Sequence, residues 1–306
     1  MRDLPLEAKN AERDKSGIIR LAAGSDRAEI STAGAEFVGW HVAGSNLLWT
    51  LDPQLWARTS PILFPIVGRT RNGEISIDGR KYRMGIHGFA AGSSFAQVSK
   101  ADDAVCLRLA DNPATRAIFP FSFQLDVTYR LAARQLGVVF DVTNTGDVPL
   151  PYALGWHPGF AWPFSTGQRN RYSIEFERPE SPEVPVITPD GLFAASHRQV
   201  PIVGRTLLLT EDLLANEALC FLNARSQSLR FVAPDGAAIR LELQDFPHIA
   251  LWSHPPASFL CIEAWTGHGD PEGFAGDFSE KPSMRFLPAG ARAEHAIRLT
   301  YEEASR

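Results

Sequence analysis

A strict two-residue alternation through two adjoining segments constrains this chain more than any other feature. Phe123, Leu125, Val127, Tyr129 and Leu131 alternate with Gln124, Asp126, Thr128 and Arg130. After Ala132-Ala133-Arg134 the apolar series resumes at Leu136, Val138, Phe140 and Val142, with Asp141 and Thr143 between its last members. Successive side chains of a strand point to opposite faces, so the pattern predicts a long antiparallel hairpin. Asp78-Gly79, between Glu74–Ile77 and Tyr82–Met84, signals a second hairpin. Pro234-Asp235-Gly236, between Leu229–Val232 and Ile239–Leu243, signals a third. Ala293, His295, Ile297, Leu299 and Tyr301 alternate again near the end, after Pro288-Ala289-Gly290.

Helical spacing is scarce. Thr210–Leu219 predicts about three turns capped by Thr210, and Leu51–Arg58 predicts one or two. Strands joined by short turns, with almost no long helices, indicate an all-β chain of antiparallel sheets packed face to face. The expectation is a single large β-sandwich over residues 16–306, after a poorly ordered tail at 1–15.

Composition removes several classes of protein. The 306 residues are 44% hydrophobic and 21% charged, with a net charge of -5. Apolar material is ample to offset chain entropy, which excludes global disorder. No run approaches the roughly 20 apolar residues of a spanning helix, so no membrane partner is expected. The mild acidity argues against a nucleic-acid partner, which would meet a basic face. Cys106, Cys220 and Cys261 lie far apart and form no C-x-x-C pair. Their odd number points to a reducing compartment. The opening MRDLPLEAKNAERDKSG is charged throughout and lacks the apolar stretch of a secretory signal, so a cytoplasmic location is expected.

Four segments break the strand pattern and gather polar residues among Gly, Pro and aromatics: PILFPIVGRTRNG (61–73), IHGFA (86–90), GWHPGFAWPF (155–164) and FLCIEAWTGHGD (259–270). Glu263 is the sharpest signal. It follows Phe259-Leu260-Cys261-Ile262 and precedes Ala264-Trp265, and a carboxylate in such a strand has either a cationic partner or a displaced pKa. The bland reading is an ion pair with an arginine. Against it, the Gly-rich run Thr266-Gly267-His268-Gly269 follows and would open a cleft. His157 sits among Trp156, Phe160 and Trp162, with Gly155 and Gly159 around it. Aromatic faces bind the apolar faces of sugar rings while polar tips read the hydroxyls; a loop histidine donating to a carbonyl is the alternative. Arg69 follows an apolar run and a glycine, with Arg71 and Asn72 as further donors, and His87 precedes Gly-Phe. Their plain readings are a surface arginine and a satisfied turn histidine.

Other chemistries lack their signatures. There is no H-E-x-x-H and no close ligand pair, so no metal is expected. A glycosidase wants two carboxylates, and beside Glu263 only Asp245 offers a poorer second. A G-x-S-x-G elbow and a phosphate-cradling glycine loop are both missing, and no cofactor is expected.

Taken together, the four segments resemble the aldose 1-epimerase (galactose mutarotase) family, on PILFPIVGRTRNG, the DGRKY hairpin (78–82), HGFA (87–90), GWHPGF (155–160) and CIEAWTGHGD (261–270), in the family's order. The resemblance implies one large β-supersandwich. It implies Glu263 as general base and His157 as general acid, with His87 and Arg69 binding and polarising the sugar. Arg71, Asp245 and Trp265 complete the candidate sugar-binding set. Three departures bear on substrate identity. Ala91 stands where many relatives carry arginine, and Ala264 where proline usually follows the glutamate. The family's sugar-binding aspartate has only Asp212 and Asp245 as candidates.

The chemistry explains the residue types. A cyclic aldose changes anomer by opening its C1–ring oxygen bond, so the C1 hydroxyl must lose a proton while the ring oxygen gains one. Glutamate, with an ordinary pKa near 4.3, suits the base; histidine, near 6.5, suits the acid, more so if the nearby carboxylate raises its pKa. The expected partner is a free aldohexose, handled by a monomer or homodimer. A hexose-6-phosphate mutarotase, with Arg69, Arg71 and Lys81 as candidate phosphate ligands, and a non-catalytic sugar-binding protein on the same fold are the rivals.

Overall fold

A computed structural model describes residues 17–304 apart from residue 216. The expected tail at 1–15 lies outside the described residues. The architecture is the expected large antiparallel β-sandwich. Its larger sheet has ten strands, in the order 202–203, 206–208, 173–176, 228–232, 238–244, 292–302, 135–144, 123–132, 104–110 and 96–100. The second sheet runs 219–221, 248–252, 259–265, 155–156 and 62–63, with 159–161 also paired to 259–265.

The long hairpin forms as the alternation requires. Phe123–Ala132 pairs with Gln135–Asn144 from Phe123 opposite Asn144 to Ala132 opposite Gln135. Leu125, Val127, Tyr129, Val138, Phe140 and Val142 all face inward. The polar side chains of the other face tie neighbouring strands across the surface, as in the two-pronged Arg108–Asp126 pair at 2.7 Å. The Glu74–Ile77 and Arg80–Arg83 hairpin turns through Asp78 and Gly79, both at positive φ, which a tight two-residue hairpin needs. Ser228–Val232 and Ala238–Gln244 form the third expected hairpin.

Both helix expectations are corrected. Helix Glu211–Leu214 makes one turn, capped by the Thr210 hydroxyl, and then ends. Leu219, Cys220 and Phe221 instead form a buried strand against Ile249–Leu251. A single helical turn gains little because nucleation is costly, whereas the strand buries three side chains. Leu51–Arg58 is a turn-rich loop closed by a bridge between Asp52 and Trp56, and its Leu55 and Trp56 pack against the cluster of Trp49, Ala257, Phe259 and Cys261. A longer helix that the sequence did not predict, Pro113–Ile118, carries an Asn112 capping box with Pro at its first position.

The core lies between the two sheets. Phe140 of the ten-stranded sheet meets Trp156 of the second sheet at 6.4 Å between ring centroids. Strand Phe259–Trp265 sends Leu260, Ile262 and Ala264 into this core. Its alternate residues Phe259, Cys261, Glu263 and Trp265 therefore line the opposite face. That face is covered too, so every residue of the strand is buried and the run reads as uniformly apolar apart from Glu263.

Candidate active site

The outer face of the second sheet carries two small apolar clusters. One holds Trp49, Ala257, Phe259 and Cys261, with Trp56 and Trp252 packed against it. The other holds Leu63, Val67, Ala153, Phe193, Cys220, Ala250 and Trp265. Glu263 falls between them, two residues from Cys261 and two from Trp265, and opposite Ala250 of the neighbouring strand.

His157 arrives from the other side. Gly155 pairs with Trp265 and Gly159 with Cys261, so the residue midway between the two glycines is level with Glu263. The His157 amide donates to the Pro61 carbonyl at 3.1 Å, which ties the 155–159 segment to the 61–73 loop. Its Nε2 stands 3.2 Å from Glu263 Oε1. The other carboxylate oxygen accepts the Trp265 indole N–H at 3.0 Å. The side chains of His157 and Glu263 keep only 9% and 2% of their surface exposed.

This enclosure sets the direction in which each pKa moves. Burial pushes the Glu263 carboxyl well up, and the Trp265 hydrogen bond opposes it only in part. Burial pushes His157 well down, with the neighbouring His87 acting in the same direction. The rise that a neighbouring carboxylate could have given His157 is not what results: its net direction is downward, set first by desolvation. Both directions favour the uncharged forms of the two groups, because burial penalises each charge. Cys220 and Cys261 flank the carboxyl group, and burial above all pushes both thiols up.

His87 forms the third wall, its ring 5.8 Å from that of His157. The residue has φ 63, a left-handed conformation that costs a non-glycine residue energy, and the structure holds it there by several bonds. The Gly68 amide donates to His87 Nδ1 at 3.1 Å, and the His87 amide donates back to the Gly68 carbonyl at 2.9 Å. Accepting at Nδ1 places the ring proton on Nε2. The ring is enclosed by neighbouring atoms although part of its surface reaches solvent; burial first, then the charge of Arg69, lowers its pKa to about 4. The following Gly88 is required sterically, because a Cβ there would stand 2.2 Å from the Phe64 carbonyl oxygen.

Arg69 sits where the 61–73 loop meets the 259–270 loop, its chain lying over Gly191. The backbone there is latched: the Asp270 amide donates to the Arg69 carbonyl at 2.9 Å, and the Arg71 amide donates to Asp270 Oδ2 at 2.8 Å. Behind this latch the buried Lys281 Nζ lies 2.8 Å from Asp270 Oδ1.

Glu263, His157, His87 and Trp265 are thus brought together as expected, with Arg69 at the edge. Arg71 and Asp245 are not brought into contact with the pair. The exposed Arg71 guanidinium donates to the Phe274 carbonyl at 3.4 Å. Asp245 instead pairs with Arg285 at 2.6 Å and with His295 at 3.0 Å, and the other nitrogen of that buried imidazole meets the Tyr152 hydroxyl at 2.9 Å. Asp212 is exposed in the first turn of its short helix. Sequence reasoning missed Trp56 and Trp252, whose rings lie 5.1 and 5.6 Å from His157. Trp56 came from a loop read as helix, and a lone Trp252 in a strand carries no local mark of its partners. Among the described residues no cluster of three or more His, Cys, Asp or Glu is arranged to hold a metal ion. No helix among them is long and apolar enough to cross a membrane.

An antiparallel supersandwich with a carboxyl–imidazole pair on the outer face of its second sheet is a galactose mutarotase-like architecture. The chain belongs to the aldose 1-epimerase family, whose model matches residues 17–275. Protein LacX of Lactococcus lactis subsp. lactis, in its chromosomal form, is 30% identical over 236 residues, which cover 73% of this chain and 79% of that protein. A crystal structure of a galactose mutarotase-like protein from Lactobacillus casei shares 29% identity and a TM-score of 0.88, over 94% of this chain and 100% of that one. A galactose mutarotase related enzyme from Lactobacillus acidophilus shares 26% identity and a TM-score of 0.87, over 94% and 98% of the two chains. Family and fold together support a mutarotase-type carbohydrate epimerase.

Proposed function

We propose that this protein interconverts the α and β anomers of a free aldohexose by opening and reclosing the ring, with Glu263 as general base and His157 as general acid. The observation that carries the reading is the 3.2 Å approach of the two groups. The reaction needs a base at the C1 hydroxyl and an acid at the ring oxygen, and those two oxygens share one carbon. A base and an acid that serve them must be near neighbours, as these are.

The bound sugar finishes the arrangement. A C1 hydroxyl donating to Glu263 favours the ionised carboxylate, and the pair's proton then resides on His157. Glu263 takes the hydroxyl proton, the C1–ring oxygen bond breaks, a C1 carbonyl forms, and the ring oxygen takes the proton of His157. After the aldehyde turns about C1–C2, neutral His157 removes the proton from the C5 hydroxyl as that oxygen attacks C1 from the other face, and Glu263 returns its own to O1. Each positioned transfer is worth roughly 10²–10⁴ in rate. On this reading the N–H of His87 and the guanidinium of Arg69 hold sugar oxygens while the open form rotates.

Polarimetry on freshly dissolved α-D-glucose or α-D-galactose tests the reading. The protein should bring optical rotation to equilibrium well ahead of buffer alone, and a trace that overlays the buffer's for both sugars would end the proposal.

A further inference from the structure

Two indoles stand against His157 and have no role in the proton transfers. The Trp56 ring lies 5.1 Å from the imidazole and the Trp252 ring 5.6 Å from it. They meet each other edge to face at 5.6 Å, and Phe259 stacks on Trp56 at 4.9 Å. Trp56 reaches this place because Gly159 has no side chain; a Cβ there would stand 2.7 Å from the indole. Trp252 is opposite Cys261, so this wall is at one end of the sheet face, and Trp265 with the Arg69 loop is at the other.

Ring connectivity says what meets that wall. With O1 at Glu263 and the ring oxygen at His157, the next ring atom is C5, and its substituent projects beyond the imidazole. We propose that Trp56 and Trp252 form the specificity wall for the group on C5, so that the site takes unphosphorylated aldoses, 6-deoxyhexoses included, and rejects a phosphate at C6. The inference rests on the proposed placement of sugar at Glu263 and His157.

The charges around the wall agree. Arg58 is committed to Glu36 at 3.5 Å and to the Ala91 carbonyl at 3.0 Å. Arg169 is held by Glu211 at 3.1 Å, by the Ala257 carbonyl at 3.0 Å, and over the Trp162 ring. His254 stacks parallel to Trp252, 6.2 Å from it. Arg69 and Arg71 belong to the far end, beside Gly191 and Asp270. A phosphate at C6 would exchange its water for indole surface without gaining a dedicated cation among the described residues, whereas a methyl or hydroxymethyl packs there at little cost.

The test compares anomer exchange of D-glucose, 6-deoxy-D-glucose and D-glucose 6-phosphate by NMR, each corrected for its spontaneous rate. Wild type should turn over 6-deoxyglucose at least as efficiently as glucose, with kcat/KM for the 6-phosphate lower by about 100-fold. Trp56→Ala and Trp252→Ala should each raise KM for 6-deoxyglucose about tenfold and keep kcat within about threefold, the mark of lost uniform binding. A 6-phosphate value within about tenfold of glucose overturns the wall, as does an equal loss on all three sugars in both variants. If none of the three sugars is turned over, the mutarotase reading fails and this inference fails with it.

Discussion

The imidazole of His157 and the carboxyl of Glu263 meet at 3.2 Å, with the second carboxyl oxygen pinned by the Trp265 indole. Glu263 comes from strand Phe259–Trp265 and His157 from the link between strands 155–156 and 159–161 of the same sheet, and each is fixed by register: Glu263 opposite Ala250, His157 midway between Gly155 and Gly159. The pair is largely buried, with an apolar cluster on either side of it.

Removal of either member should stop catalysis without unfolding the chain. Glu263→Gln keeps an oxygen for the Trp265 N–H and replaces a buried carboxyl by a neutral isostere, so stability should change little. His157→Asn keeps a polar group of smaller volume. Anomerisation followed by polarimetry should fall by about 10²–10⁴ in either variant. A rate near that of the wild type would remove the substituted residue from the mechanism.

Acid should weaken the fold through its buried histidines. Burial takes His87 and His248 from the ordinary 6.5 down to about 4. Below pH 6.5 the unfolded chain binds a proton on each that the folded chain refuses, so stability is complete above that pH and falls as pH drops toward about 4. The slope is about 1.4 kcal/mol per pH unit and group. Glu263 runs the other way: its raised carboxyl favours the fold at low pH, and that contribution is lost as pH rises past the ordinary 4.5. The histidines outnumber it, so the urea midpoint should be lower at pH 5 than at pH 7. His248→Asn, which keeps an acceptor for the Asn223 amide, should flatten the fall. Equal midpoints at the two pH values in wild type would contradict this account.

Lys281 and Asp270 should behave as a unit. Their side chains are 1% and 5% exposed and 2.8 Å apart. Lys281→Met strands a buried carboxylate and should cost about 3–5 kcal/mol in chemical denaturation. The double variant Lys281→Met with Asp270→Asn removes both charges and should regain at least half of that loss. Additive losses in the double variant would show that the two charges do not depend on each other.

Gly88 should tolerate no side chain. Its φ is 77, and a Cβ would meet the Phe64 carbonyl oxygen at 2.2 Å, a backbone atom that cannot step aside. Gly88→Ala should destabilise by more than about 1 kcal/mol. Because the Phe64 amide also holds the His87 carbonyl, the displacement should reach the His87 ring and lower kcat at temperatures where the variant is still folded. An alanine variant with wild-type melting temperature and kcat would refute this.

The hairpins and the strand character were legible because alternation is a local signal that needs only neighbours in the chain. The longer helix misreading has a packing cause. TEDLLANEAL has helical composition, yet its last residues are worth more as a buried strand beside Ile249–Leu251. The site was partly legible. Glu263 betrayed itself as a carboxyl in an apolar strand, and the Gly-rich, aromatic setting marked His157. Trp56, Trp252 and the Lys281–Asp270 latch were not legible, because each takes its meaning from a residue distant in the chain.

By itself, then, the amino-acid order determined the strands, their tight turns and the presence of an out-of-place carboxyl, all properties of side chains within a few residues of one another. Tertiary structure decided the rest. Register across the second sheet set which imidazole faces Glu263, and the covering of its outer face turned both groups toward their neutral forms. It also drew Asp245 to Arg285 and His295, away from the place a sequence reading had offered it. Distance and desolvation are properties of packing, and a linear chain carries neither until it has folded.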